Sequence, residues 1–71
     1  MTEKLSVPGD EITLTQVLKL AGLAESGGHA KILIADGCVR VNGAVELRKR
    51  RQMHIGDVVE MVEGKRVELV K

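Results

Sequence analysis

Asp36-Gly37-Cys38-Val39-Arg40-Val41-Asn42-Gly43 is the stretch whose reading decides the fold. Gly37 suits the left-handed conformation that closes a helix after Asp36. Val39 and Val41 alternate with Cys38 and Arg40, which is the period of a strand with one buried face. Asn42-Gly43 is a strong two-residue hairpin signal, because both positions tolerate positive φ. Upstream of this stretch the chain reads as helix, and downstream almost entirely as strand.

Working upstream, Thr13 and Gln16 form a capping box that starts a helix. Leu14, Val17, Leu18 and Ala21 fall at i, i+3, i+4 and i+7 and define one buried face. Gly22 closes this helix, and Leu23 folds back over its end. Ser26 caps a second helix, in which Ala30, Leu33, Ile34 and Gly37 repeat the helical spacing. Gly27-Gly28 weakens its first turn, each glycine costing roughly 1 kcal/mol against alanine. The reading adopted for the pair is close packing against the first helix. The alternative is that its bare backbone amides approach an anion. Before the helices, Met1 to Glu11 reads as an extended arm, broken at Pro8-Gly9, with a short strand around Lys4 to Val7.

Working downstream, Val45 and Leu47 alternate with Glu46 and Arg48 and predict the return strand of the hairpin. Lys49-Arg50-Arg51-Gln52 interrupts the pattern, and Met53 and Ile55 resume it. Gly56-Asp57 marks a turn. Two further strands, Val58 to Val62 and Arg66 to Val70, are joined through Glu63-Gly64-Lys65. The expected fold is a single α+β domain over residues 1–71, with two helices followed by a small, mainly antiparallel β-sheet. Within it, 1–11 is the arm, 12–61 bears the motifs, and 58–70 is a C-terminal hairpin.

Seventy-one residues bury a small core, with an expected net stability of roughly 3–5 kcal/mol. That leaves little room for an enzyme cleft. The apolar residues are almost all aliphatic, and Phe, Tyr and Trp are absent. Aromatic stacking on unpaired bases is therefore unavailable. The net charge is only +1, but it is unevenly spread. Between His29 and His54, Lys31, Arg40, Arg48, Lys49, Arg50 and Arg51 stand against Asp36 and Glu46, a local +4. A basic patch on a nearly neutral chain points to a polyanion. The single cysteine, Cys38, excludes an internal disulfide and fits a reducing compartment. No apolar run suits a signal peptide or a membrane span, so the expected location is cytoplasmic, with no membrane partner.

The run Arg48-Lys49-Arg50-Arg51 is the sharpest chemical signal. It reads either as a solvated edge that discourages strand aggregation or as a phosphate-binding element, for which guanidinium forks are well suited. Lys31 and Arg40 are candidates for the same face. His29, Cys38 and His54 have no metal-ligand spacing, so neither a metal nor another cofactor is expected. Asp10 with Glu11, and Asp57 with Glu60, are not spaced as an acid–base pair, and the chain is expected not to be an enzyme.

Three segments, taken in order, carry a family resemblance. They are Leu18-x-x-x-Gly22-Leu23-x-x-Ser26, then Ala30-x-x-Leu33-Ile34-x-x-Gly37-x-Val39-x-Val41-Asn42-Gly43, then Ile55-Gly56-Asp57-x-Val59. Together they resemble the RNA-binding domain named after ribosomal small-subunit protein S4, over about Ile12 to Met61. That domain also occurs attached to pseudouridine synthases, tyrosyl-tRNA synthetases and a heat-shock RNA-binding protein. The chain here is most similar to small stand-alone bacterial members. The resemblance implies an L-shaped helix-helix-strand motif, the αL motif, packed on a small sheet. It implies binding of structured RNA, ribosomal or transfer, through the phosphate backbone. It places the contacts at the start of the second helix and the basic positions of the hairpin: Ser26, His29, Lys31, Arg40, Arg48, Lys49, Arg50 and Arg51. One departure is Gly27, where the family often has arginine directly after the motif serine; Lys31 and the 48–51 run are the expected replacements. The alternative expectation is a protein-interaction adaptor docking its basic run on an acidic or ribosome-associated partner. A monomer is expected in either case.

Overall fold

A computed structural model describes residues 2–9 and 11–71. Met1 and Asp10, both part of the expected arm, lie outside the described residues, and with Asp10 the Asp10–Glu11 pair. The elements run β1 (Thr2–Ser6), β2 (Ile12–Thr13), α1 (Leu14–Leu20), α2 (Gly27–Ala35), β3 (Val39–Val41), β4 (Ala44–Val45), β5 (Gln52–Met53), β6 (Val58–Met61) and β7 (Arg66–Val70).

The caps behave as the residue types require. The Thr13 hydroxyl accepts from the Gln16 N–H, and the Gln16 side-chain Oε1 accepts from the Thr13 N–H at 2.9 Å. At the other end of α1, Gly22 sits at φ 74°, which lets the Gly22 N–H reach the Lys19 carbonyl and the Leu23 N–H reach the Leu18 carbonyl. This is the paired-bond closure that favours glycine. α2 closes in the same way: Gly37, also at φ 74°, donates to Ile34 O, and Cys38 donates to Leu33 O.

The chain then enters the sheet, whose strand order is β1-β7-β6-β3-β4. All pairs are antiparallel except β1 with β7, which is parallel. The arm's strand thus begins at Thr2, two residues before its expected start, and forms a sheet edge. A separate two-stranded pair joins β2 to β5. Val39, Val41, Val59, Met61, Val67 and Leu69 are buried on one face of the large sheet, as are Leu14, Val17, Leu18, Ala30 and Ile34 of the helices. These strand and helix residues, Val67 apart, form one aliphatic cluster with Met53, Ile12 and others. Burying side chains of this kind contributes about 1.5–3 kcal/mol each, which is how a chain without aromatics still closes a core.

The β3–β4 hairpin turns at Asn42-Gly43, with φ of 52° and 89°. The return strand, however, departs from the expected alternation. β4 ends at Val45, and Val45 and Leu47 are 51% and 62% exposed, whereas Glu46 is only 8% exposed. The physical reason is register. The Glu46 N–H bonds to Val39 O, which sets Glu46 opposite Val39 and therefore on the buried face.

The glycine pair also departs from expectation. A Cβ at Gly27 would meet nothing within 4 Å, and one at Gly28 would meet only the Ser26 hydroxyl at 3.8 Å. Neither has positive φ. Close packing against α1 is therefore not what places glycine there.

Candidate functional site

The basic run is held by its backbone. The Arg51 N–H bonds to Arg48 O at 3.2 Å, so residues 48–51 form a turn with Lys49 and Arg50 at its tip. Two carbonyls of this turn point at the start of α1. Arg51 O accepts from the Leu14 N–H at 2.9 Å, and Lys49 O accepts from the Thr15 N–H at 3.3 Å and the Thr15 hydroxyl at 2.6 Å. A helix start leaves unsatisfied N–H donors, and here the loop supplies acceptors for them. The loop is thereby anchored without using a charged side chain at its tip. Residues 47–52 curl round an open concavity lined by Leu47, Arg48, Lys49, Arg50, Arg51 and Gln52.

Four cations beside the positive end of a helix are electrostatically unfavourable. The compensating charge is Glu46. Its carboxylate accepts from the Arg48 N–H, Nε–H and Nη2–H, each at 3.1 Å, and from Arg51 Nη1–H at 2.7 Å. The bonds from Arg48 and Arg51 hold its carboxyl at about 2, well below the usual carboxylate range. The two arginines differ in what remains available. The Arg48 side chain is 73% exposed, whereas that of Arg51 is 29% exposed, with its Nε buried and unpartnered among the described residues. Lys49 and Arg50 are exposed and make no ion pair among the described residues. One paired carboxylate thus leaves the turn strongly positive, with its two uncommitted cations outermost.

The other expected contacts lie elsewhere on the molecule. Arg40 is exposed in β3, on the sheet face opposite the core, in register with Val45 and with Glu60, itself paired to Arg66 at 2.9 Å. Lys31 is exposed on α2. Neither Arg40 nor Lys31 hydrogen-bonds or ion-pairs with the loop among the described residues. Ser26 is committed to capping, its hydroxyl accepting from the His29 N–H at 3.1 Å. His29 is half-buried, and its Nδ1 accepts from the Glu25 N–H at 3.0 Å. The proton of the neutral ring is therefore on Nε2. The structure thus gathers Arg48, Lys49, Arg50 and Arg51 into one concavity, and leaves His29 and Lys31 on α2, Ser26 at its N-cap and Arg40 on the outer sheet face.

Periodicity and turn signals miss the roles of two residues in this architecture. Glu46 read as an outward position of a regular strand, although a lone carboxylate two residues before four cations was the available signal. Asn42 read only as a turn residue. Its side chain in fact donates from Nδ2 to Asp57 Oδ1 at 3.0 Å and accepts at Oδ1 from the Val58 N–H at 2.9 Å. Asp57 Oδ2 in turn accepts from the His54 N–H at 2.8 Å. The hairpin turn and the Gly56-Asp57 turn, which read as independent, are one hydrogen-bonded unit. Among the described residues no three His, Cys, Asp or Glu side chains gather as a metal site would require. Among the described residues no helix is long and apolar enough to cross a membrane.

The S4 domain family model matches residues 5–70. The chain belongs to the S4 domain family. Among its relatives, "Probable ribosome maturation protein RlbA" of Bacillus subtilis (strain 168) is 42% identical over 64 residues, 90% of this chain and 89% of that protein. "Putative RNA-binding protein YbcJ" of Escherichia coli (strain K12) is 48% identical over 59 residues, 83% of each chain. The solution structure of YbcJ from E. coli, described as revealing an αL motif involved in RNA binding, superimposes with a TM-score of 0.69. That match has 43% identity and covers 99% of this chain and 86% of that one. The S4 fold expected from the ordered motifs is therefore shown: two helices and a mainly antiparallel sheet.

Proposed function

We propose that this S4 domain is a non-catalytic binder of structured RNA and that the 48–51 turn engages the phosphate backbone. The observation that carries the reading is the geometry of Lys49 and Arg50. They stand exposed, with no ion pair among the described residues, at the tip of a turn whose carbonyls anchor it to α1. Guanidinium and ammonium groups held there match the spacing-tolerant recognition of phosphates. The lack of aromatic side chains favours a folded or duplex RNA, recognised by shape, over splayed single strands. The name of the E. coli relative, a putative RNA-binding protein, supports RNA as the partner, and that of the Bacillus relative, a probable ribosome maturation protein, supports a ribosome-linked setting. Arg48 contributes through the part of its guanidinium turned away from Glu46. Lys31, Arg40 and the α2 start around Ser26 and His29 are secondary contacts, each reachable by an RNA that extends beyond the turn.

The test is a titration of a labelled RNA stem-loop with the wild type and with Lys49→Ala/Arg50→Ala, repeated across salt concentrations. Losing two phosphate contacts should weaken binding across stem sequences and flatten the slope of log affinity against log salt by about 1.5. A wild type that does not bind, or an unchanged slope in the double variant, refutes the assignment. Retention of a cellular partner after complete RNA digestion would instead favour the protein-adaptor reading.

A further inference from the structure

Glu46 presents a problem of sign. If the turn serves only as positive charge for a polyanion, a carboxylate in its midst opposes the purpose. Yet Glu46 is almost wholly buried and spends four hydrogen bonds on the two flanking arginines. The bonds run to both ends of the turn, Arg48 at its start and Arg51 at its close, and none goes to Lys49 or Arg50. The carboxylate therefore acts as a staple across the base of the turn, beneath the tip.

We propose that Glu46 is a positioning residue for the RNA-facing turn, holding Arg48 and Arg51 so that Lys49 and Arg50 are presented in one arrangement before RNA arrives. This rests on the phosphate-binding reading given above. A long cationic side chain on a mobile loop loses rotamer freedom when it binds, and a loop already held in its bound shape loses less. The sheet supplies the staple's footing, because the Glu46 N–H is tied to Val39 O. The side chain enters from the buried face, and solvent does not compete for it freely.

The proposal and simple electrostatics predict opposite outcomes for Glu46→Gln. Removal of a negative charge from a phosphate site should tighten binding and steepen its salt dependence. Loss of the staple should weaken binding to the labelled stem-loop by about tenfold, the order expected when one or two side chains must be newly immobilised. The effect must also run through the tip. In the Lys49→Ala/Arg50→Ala background, Glu46→Gln should cause little further loss. Far-UV circular dichroism establishes that each variant is folded at the assay temperature. Should Glu46→Gln fail to fold, Glu46→Asp, which keeps the charge but shortens the reach, is carried through the same cycle. Binding by the folded variant that equals or exceeds the wild type overturns the proposal, as does a loss that is undiminished in the tip-less background. If the wild type binds the stem-loop and the tip variant does not weaken it, the phosphate reading fails instead, and the two failures are told apart.

Discussion

Replacing Asn42 by alanine should unlock the two turns that frame the C-terminal half of the sheet. Three contributions can be worked from the geometry. The bond from Nδ2 to the Asp57 carboxylate is charge-assisted, a class contributing about 1.5–3 kcal/mol when shielded and less at this exposed site. The bond accepted from the Val58 N–H contributes about 0.5–1.5 kcal/mol. Alanine at φ 52° adds left-handed strain of about 1 kcal/mol, which asparagine tolerates better. Water replaces part of what is lost, and a net destabilisation of about 2 kcal/mol follows. For a domain of this size that lowers the melting temperature by about 8–16 °C. Asn42→Gly keeps the turn conformation and loses only the side-chain bonds, so it should fall between wild type and alanine. The assay is thermal unfolding followed by far-UV circular dichroism, since the chain has no aromatic residue to report by fluorescence. An alanine variant that melts with the wild type would refute the coupling of the two turns. Glycine and alanine variants that melt together would refute the conformational share.

The acid limb of the stability curve should carry a signature of Glu46. Its folded pKa of about 2 lies below the ordinary 4.5, so its stabilisation is complete above about pH 4.5 and is lost as pH falls toward 2. After allowance for the solvent around Arg48, this amounts to about 1–2 kcal/mol, and unfolding titrations should find that increment missing from Glu46→Gln at neutral pH but not near pH 2. Gly28→Ala should raise stability by about 0.5–1 kcal/mol, because the backbone there is helical and an added methyl meets only the Ser26 hydroxyl at 3.8 Å. A fall in its urea midpoint would show that the first turn of α2 is more constrained than its surroundings indicate.

Local chemistry decided a large part of this molecule. Thr13 with Gln16, Ser26, Gly22, Gly37 and Asn42-Gly43 each act over a span of a few residues, and each closes or opens the element expected of it. The aliphatic spacing of Leu14, Val17 and Leu18, and of Val39 and Val41, selects the faces that are buried. These short-range signals, in order, suffice for two helices feeding a hairpin, and for the S4 family. The charge count between His29 and His54 was equally visible, but not its layout. Whether Glu46 faces solvent depends on its register with Val39, a partner on another strand. Whether Lys49 and Arg50 are free depends on that same carboxylate and on helix donors more than thirty residues away in sequence. The pairing of Asn42 with Asp57 and the parallel docking of β1 on β7 are likewise long-range. Alternation and capping constrain a residue through its neighbours along the chain. The sense in which a charge points is set by neighbours across it, and only the folded sheet brings those together.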